Sequence, residues 1–360
     1  KPSIIGFPSA WGSLLDDYRL LGILRRTLPD ARLVIFGPNV TAEPEKTLRA
    51  SAADVVIRGE PEEAMLLMAQ GNELSSVPNL AWLEDDELKL SERRLPGGWE
   101  SYPLPARDLL DLSKYTIPFS RRLPSTTIAS TRGCPHKCNF CPTQIWNERK
   151  VRGRPVGLVL EEIKELVERY GVRELSWRDD TFTWDRDRVA AICDGILKAG
   201  WDVSWRAFAT ASTVDPDILN LMAAAGCTQL CYGFESGDET VLRRTGKGTT
   251  VEQGRQAVAW SKAAGVEVSG TFMVGLEGAT EETVQRSIDF AVEQDLDYIQ
   301  VNVALQLPAT GFGKRAKKKG LESNPELFRW SGAATTDSQG LDREDLPRLA
   351  RKFYRSLYLR

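Results

Sequence analysis

Along this chain, short apolar runs alternate with longer stretches in which apolar residues recur every three or four positions. Residues 3–7 form the first run. The stretch 14–28 then places Leu14, Tyr18, Leu21 and Leu24 on one face, which predicts an amphipathic helix. Residues 31–36 and 54–57 read as further buried strands, with helices expected over 45–51 and 61–69. Strands and helices in alternation build a parallel sheet, and such sheets bind ligands beyond the carboxyl ends of their strands. Residues 80–83 and 87–90 flank the acidic turn Glu84-Asp85-Asp86 as a small hairpin. Pro96, Gly97, Gly98, Pro103 and Pro105 then mark a linker.

From Ser125 the alternation becomes longer and more regular. Strands are expected at 126–128, 174–177, 203–208, 229–234, 266–274 and 298–305, with helices between them, among these 158–170 and 186–198. Asp215-Pro216 supplies an N-cap and a first-turn proline for one helix. Thr280-Glu281-Glu282 puts acids in the first turn of another, where the helix dipole favours them. Repeated βα units of this number predict a partial (β/α)6 barrel with its functional groups at the strand C-termini. The expected fold class is therefore α/β, a Rossmann-like parallel-sheet domain followed by a TIM-type partial barrel. The expected boundaries are 1–71 for the sheet domain, 72–124 for hairpin and linker, 125–320 for the barrel and 321–360 for a helical extension.

The chemistry concentrates after the first barrel strand. Cys134, Cys138 and Cys141 stand in a C-x3-C-x2-C arrangement, preceded by Arg132-Gly133. Cysteine thiolates are the usual ligands of iron–sulfur clusters, and a [4Fe–4S] cube takes four. Three thiolates leave one iron open, which a catalytic metal needs and a structural one avoids. Zinc is disfavoured because Cys193, Cys227 and Cys231 offer no second C-x2-C pair. The only histidine, His136, lies between the cysteines and is poorly spaced as a fourth ligand. Core packing is the expectation for the other three cysteines, although Cys231 shares strand parity with Gly233 and Glu235.

This loop resembles that of the radical S-adenosylmethionine (SAM) superfamily, which has this spacing, an aromatic before the last cysteine (here Phe140) and a preceding Arg-Gly. The resemblance implies a [4Fe–4S] cluster held by Cys134, Cys138 and Cys141, with SAM chelating the open iron. It implies acceptors for the SAM ammonium at Asp179 and Asp180, ribose or methionine contacts at Glu235 and Ser236, and an adenine cradle at Phe140, Met273, Val274, Gly275 and Glu277. For Asp179 and Asp180 a helix-capping role is the competing reading. Where many relatives carry an arginine for the SAM carboxylate, this chain has Thr210, with Arg206 as the candidate substitute. The usual Pro-Gly-Glu turn reads Glu277-Gly278-Ala279.

The N-terminal turns resemble the back half of a cobalamin-binding domain. The serine turn corresponds to Ser9, the Gly-Gly turn to Gly37 and Pro38, and the Gly-Glu turn to Gly59 and Glu60. The front half of that domain is not in this sequence, so residues preceding Lys1 are expected. Pro38 departs from the pattern, since glycine allows close backbone approach whereas proline adds a ring and removes an N–H. A Rossmann-like domain that binds nothing is the alternative.

Composition then narrows the function. A formal net charge of -3 gives no general attraction to nucleic acid. No apolar run is long enough to span a bilayer, no secretory leader is read, and six cysteines in 360 residues suit a reducing cytoplasm. The resemblance implies a cobalamin-dependent radical SAM enzyme of the group that includes hopanoid-pathway proteins and the anaerobic cyclase of chlorophyll synthesis. It would take an electron from an external flavodoxin- or ferredoxin-type reductant, cleave SAM to a 5′-deoxyadenosyl radical, and methylate, oxidise or cyclise a small-molecule substrate. The competing readings are a cobalamin-independent radical SAM enzyme with a degenerate sheet domain, a tRNA-modifying relative, and an electron carrier.

Overall fold

The computed structural model describes residues 1–95, 97, 99, 102–320 and 340–359. β1 (Ile4–Pro8), α1 (Leu14–Thr27), β2 (Arg32–Phe36), α2 (Pro38–Ala42), α3 (Pro44–Ala50), β3 (Val55–Ile57) and α4 (Glu62–Ala69) form the first βα units. Strands β1, β2 and β3 pair in parallel. The hairpin β4 (Leu80–Glu84) and β5 (Glu87–Leu90) continues the sheet, with β4 antiparallel to β3, in the order β1-β2-β3-β4-β5. This corrects the boundary expected at residue 71. Leu80 is fully buried with Val34, Val55 and Ile57, and Ala81 with Leu33, Ile35 and Val56, so the hairpin belongs to the sheet domain.

The second unit begins with β6 (Ser125–Ile128), β7 (Thr131–Arg132), α5 (Gln144–Asn147), β8 (Arg152–Gly153), α6 (Val156–Lys164) and β9 (Glu174–Trp177). It continues with α7 (Arg186–Ala199), β10 (Ser204–Ala209), α8 (Pro216–Ala224), β11 (Cys227–Glu235), α9 (Glu239–Thr245) and α10 (Val251–Ala263). It closes with β12 (Glu267–Val274), α11 (Glu281–Glu293), β13 (Tyr298–Val303), α12 (Gly311–Lys318) and α13 (Asp345–Tyr358). Six parallel strands run in the order β13-β12-β11-β10-β9-β6, an open half-barrel. Local capping fixes the helix starts. Asp185, Asp215 and Asp238 accept backbone N–H bonds at the heads of α7, α8 and α9, and Thr250 and Thr280 form capping boxes at α10 and α11. Of the extension expected over 321–360, residues 321–339 lie outside the described residues, and α13 occupies most of the remainder.

Strand alternation separates two faces. On β12, Val268, Gly270, Phe272 and Val274 are buried under the helices, while Glu267, Ser269, Thr271 and Met273 face the concave interior and are only half-buried. Trp177, Phe182 and Trp205 pack together on the covered face, with ring centroids 4.7 to 6.2 Å apart, so these tryptophans are core. The edge strand β13 is closed by α13: Ile299 N and Val301 N donate to the Tyr358 and Tyr354 hydroxyls, both at 2.9 Å. At the N-terminal end of the strands, the linker crosses the half-barrel. Arg121 N and Arg122 N donate to Glu174 at 2.8 and 3.1 Å, and the Arg121 guanidinium meets Glu267 at 2.6 Å. No described helix is long and apolar enough to cross a membrane.

Candidate active site

The cysteine loop leaves β7 through Gly133, whose φ is +96°; a Cβ there would lie 2.0 Å from the Lys150 carbonyl oxygen. Only glycine fits that turn, which accounts for the Arg-Gly preceding Cys134. The loop is then fastened on every side. Asn139 N donates to Thr245 O at 2.8 Å, Phe312 N donates to Asn139 O at 2.8 Å, and Gln144 Nε2 donates to Cys138 O at 2.7 Å. Burial pushes the Cys138 thiol up to about 12, with the other two loop thiols and Glu235 adding and Lys247 opposing. The three thiols are thus close enough to feel one another. Among the described residues, though, no three His, Cys, Asp or Glu converge tightly enough to hold a single metal ion. A cluster in which each thiolate binds a different iron would deprotonate these thiols.

Asp179 is fully buried and accepts from Ser130 N (2.8 Å), Ser130 Oγ (2.6 Å) and Thr131 Oγ1 (2.6 Å). Its oxygens thereby hold the strand end that launches the cysteine loop. Asp180 accepts from Gly133 N at 3.0 Å and Thr143 Oγ1 at 3.3 Å, bracing the same loop from the other side. Burial raises both carboxyls, and these hydrogen bonds oppose it. Asp179→Ala would strand three donors, and we expect a loss of about 3 kcal/mol, since each unsatisfied buried donor costs roughly 1–3. Urea unfolding of the metal-free protein measures it; an unchanged midpoint would contradict the assignment.

Glu235 ends β11 at a register shift with φ +64°, an uncommon conformation for a residue with a side chain. Its carboxylate meets Lys247 Nζ at 3.1 Å, and both side chains are only 11% exposed. Lys247 lies in the Gly246-Lys247-Gly248 connection between α9 and α10, and burial opposes its charge while Glu235 and the thiols of Cys138 and Cys141 favour it, with a net rise. The sequence reading missed Lys247. Two glycines around a lysine were the available signal, but no strand end marks it. Ser236 is buried against Ser287 (3.2 Å) and accepts from Asp238 N, so its hydroxyl supports α9 instead of facing the interior.

Met273 faces the interior, Val274 is fully buried on the helix side, and Gly275 packs against Leu346 of α13. Glu277 is tied to Arg315 at 2.5 Å and receives Asn139 Nδ2 at 3.3 Å, so it anchors α12 to the cysteine loop. Arg315 lies in the basic run Lys314-Arg315-Ala316-Lys317-Lys318-Lys319. Phe140 is half-buried against the main core, and Thr210 is buried. Arg206 lies midway along β10, donating to Ser176 Oγ (3.4 Å) and Pro118 O (3.0 Å). It therefore does not stand at the strand end where a SAM carboxylate partner was expected. Cys231 lines the interior cavity with it, contrary to the expectation of core packing.

The N-terminal turns face this loop. Ser9 Oγ donates to Asp17 at 2.5 Å and accepts from Asn39 Nδ2 at 2.9 Å. Gly37 has φ +135° because a Cβ would meet Ser9 O at 2.0 Å, and Pro38 begins α2. Gly59, with φ +134°, has nothing within 4 Å of a Cβ position, so its face is open. The carboxylate of Glu60 is bound to Arg132 (2.8 Å) and to Arg152. Arg132 also meets Glu62 at 2.6 Å and lies 4.8 Å from the Trp99 ring. The Gly-Glu turn is thereby bonded to the residue two positions before Cys134.

The half-barrel thus bears three loop thiols beside a buried lysine–glutamate pair, and a Rossmann-like sheet is fastened to the same loop. The sequence profile of the Radical SAM superfamily matches residues 128–291. An uncharacterized methyltransferase of Pyrococcus horikoshii is 31% identical over 369 residues, covering 100% of this chain and 79% of that protein. The cytidylyl-2-hydroxyethylphosphonate methyltransferase of Streptomyces wedmorensis is 25% identical, covering 100% of this chain and 75% of its own length. The solved structure of the cobalamin-dependent SAM radical enzyme OxsB superposes with a TM-score of 0.79 at 17% identity, covering 98% of this chain and 57% of that one. The chain belongs to the radical SAM superfamily.

Proposed function

We propose that this protein is a cobalamin-dependent radical SAM methyltransferase acting on a small organic substrate. The observation that carries the reading is the open face at Gly59, in a turn bonded through Glu60 to Arg132 at the start of the cysteine loop. That arrangement supports a corrinoid held at the sheet's strand ends beside the cluster. The relatives that cover the whole chain and are named methyltransferases favour methyl transfer over cyclisation. When bound, the cluster with SAM supplies radical chemistry at an unactivated carbon, and cobalamin supplies a methyl group.

The chain's own residues do the positioning. Cys134, Cys138 and Cys141 hold the cluster, and Asp179 and Asp180 fix the loop that presents them. Phe140, Glu235 and the Met273 strand end are assigned to SAM, with Lys247 neutralising Glu235. An external one-electron reductant of the flavodoxin or ferredoxin type would reduce the cluster.

Corrinoid content tests the reading. Protein purified without oxygen from cobalamin-fed cells should carry near-stoichiometric cobalamin, measured by absorbance and mass spectrometry. Gly59→Val, which projects a side chain into the open face, should lose the corrinoid while keeping its iron and sulfide. A wild-type protein with an intact cluster and no corrinoid would leave SAM radical chemistry alone, and equal corrinoid in Gly59→Val would remove that turn from the site.

A further inference from the structure

The concave interior of the half-barrel encloses a cavity of about 820 Å³, bounded below by the linker residues Ile117, Pro118 and Phe119. Its charges are unevenly satisfied. Of the acids, Glu267 is paired with the Arg121 guanidinium, while Glu174 accepts from the neutral backbone N–H groups of Arg121 and Arg122. Two further arginines, Arg178 just beyond β9 and Arg206 on β10, face the same cavity. Among the described residues, neither meets a carboxylate within ion-pairing distance. Arg206 is held below its ordinary range by burial, with Arg178 opposing its charge further although Glu174 favours it. Arg206 is half-buried and Arg178 exposed, and against them stands only the Glu174 carboxylate, so the cavity keeps a net positive charge that an anionic ligand would balance. The rest of the lining mixes the aromatic side chains of Phe208, Tyr298, Tyr354 and Tyr358 with polar Thr228, Gln229, Ser269 and Gln300.

We infer that this cavity binds the substrate, and that Arg178 and Arg206 recognise an oxyanion on it, a carboxylate or phosphoryl group attached to an apolar or aromatic body. Planar guanidinium forks match such oxyanions through paired N–H bonds. Arg206 is already oriented by Ser176 and Pro118, so its fork is aimed before the ligand arrives. Neither arginine is needed to hold the cysteine loop. The inference deepens the methyltransferase reading and rests on it for the word substrate; the binding itself is measured separately.

The test uses the full chain with its cluster reconstituted, and titration calorimetry with three probes: phenylphosphonate, phenylacetate and the uncharged benzyl alcohol. We expect saturable binding of at least one oxyanion probe, about tenfold or more tighter than benzyl alcohol. Arg178→Gln and Arg206→Gln should each weaken that probe by about tenfold, Arg206→Lys should weaken it less, and SAM affinity should be unchanged in all three. If oxyanion and alcohol bind alike, or if the variants weaken SAM as much as the probe, the inference fails, the latter because the arginines would then serve the SAM carboxylate. Thermal unfolding and iron content of each variant separate loss of fold from loss of contact. Failure of the wild-type protein to cleave SAM would instead strike the methyltransferase reading, while leaving the probe isotherms readable.

Discussion

Cys138→Ala is expected to yield a folded protein without a stable cluster and with SAM cleavage reduced to background. The reason is that the loop's shape does not depend on the thiol. Cys138 contributes its carbonyl to Gln144 Nε2 and to Cys141 N, and the adjacent Asn139 is bonded by its own backbone to Thr245 and Phe312. Those contacts survive the substitution, so two thiolates remain in place where three are required. Iron and sulfide content, visible absorbance and 5′-deoxyadenosine formation, each compared with the wild type, read the result. SAM cleavage retained at a wild-type rate would remove Cys138 from the ligand set. A variant that also loses its circular dichroism would show that the loop is less self-supporting than its hydrogen bonds imply.

The second large effect is expected at Lys247. Lys247→Met removes the partner of a carboxylate that is only 11% exposed, leaving Glu235 charged and nearly dry. Removing one member of such a pair costs about 3–5 kcal/mol, whereas replacing both with apolar groups is often close to neutral. The double variant Lys247→Met with Glu235→Leu should therefore recover most of the stability that the single variant loses. Both are compared by urea unfolding of the metal-free protein. A single variant as stable as the wild type would mean that the pair is not formed in solution. A double variant no better than the single one would mean that Lys247 stabilises through packing. Recovery of stability without recovery of SAM binding would separate the structural role of the pair from its role toward the cofactor.

The proposed cluster ligands Cys134, Cys138 and Cys141 stand out in the sequence because thiolate chemistry needs a fixed residue type at a fixed local spacing. It made the barrel legible because buried strands and one-sided helices leave different apolar periods. The hairpin at 80–90 was readable as a hairpin, but not as part of the sheet, because strand partnership across β3 and β4 is a non-local fact. Polar residues at strand ends were harder. Asp179, Ser9 and Ser236 all sit where ligands are contacted in such folds, and each instead satisfies buried neighbours. Sequence position specifies that a polar group lies near the site, not whether its hydrogen bonds are already filled. Lys247 and Arg178 were missed for the converse reason: their importance comes from partners present or lacking across the fold, which no local pattern encodes.

The two tyrosine hydroxyls at the margin of the half-barrel have a consequence for how the molecule behaves among its own copies. An open parallel sheet that ends in a bare strand invites another chain to add itself by backbone pairing, the route to uncontrolled self-association. Here the invitation is withdrawn at Ile299 and Val301, whose N–H groups are already answered by phenol oxygens from the same chain. A side chain, unlike a strand, cannot be extended by a further strand. The catalytic barrel can therefore remain unclosed, with room inside for a bulky reactant, without offering that edge as a template.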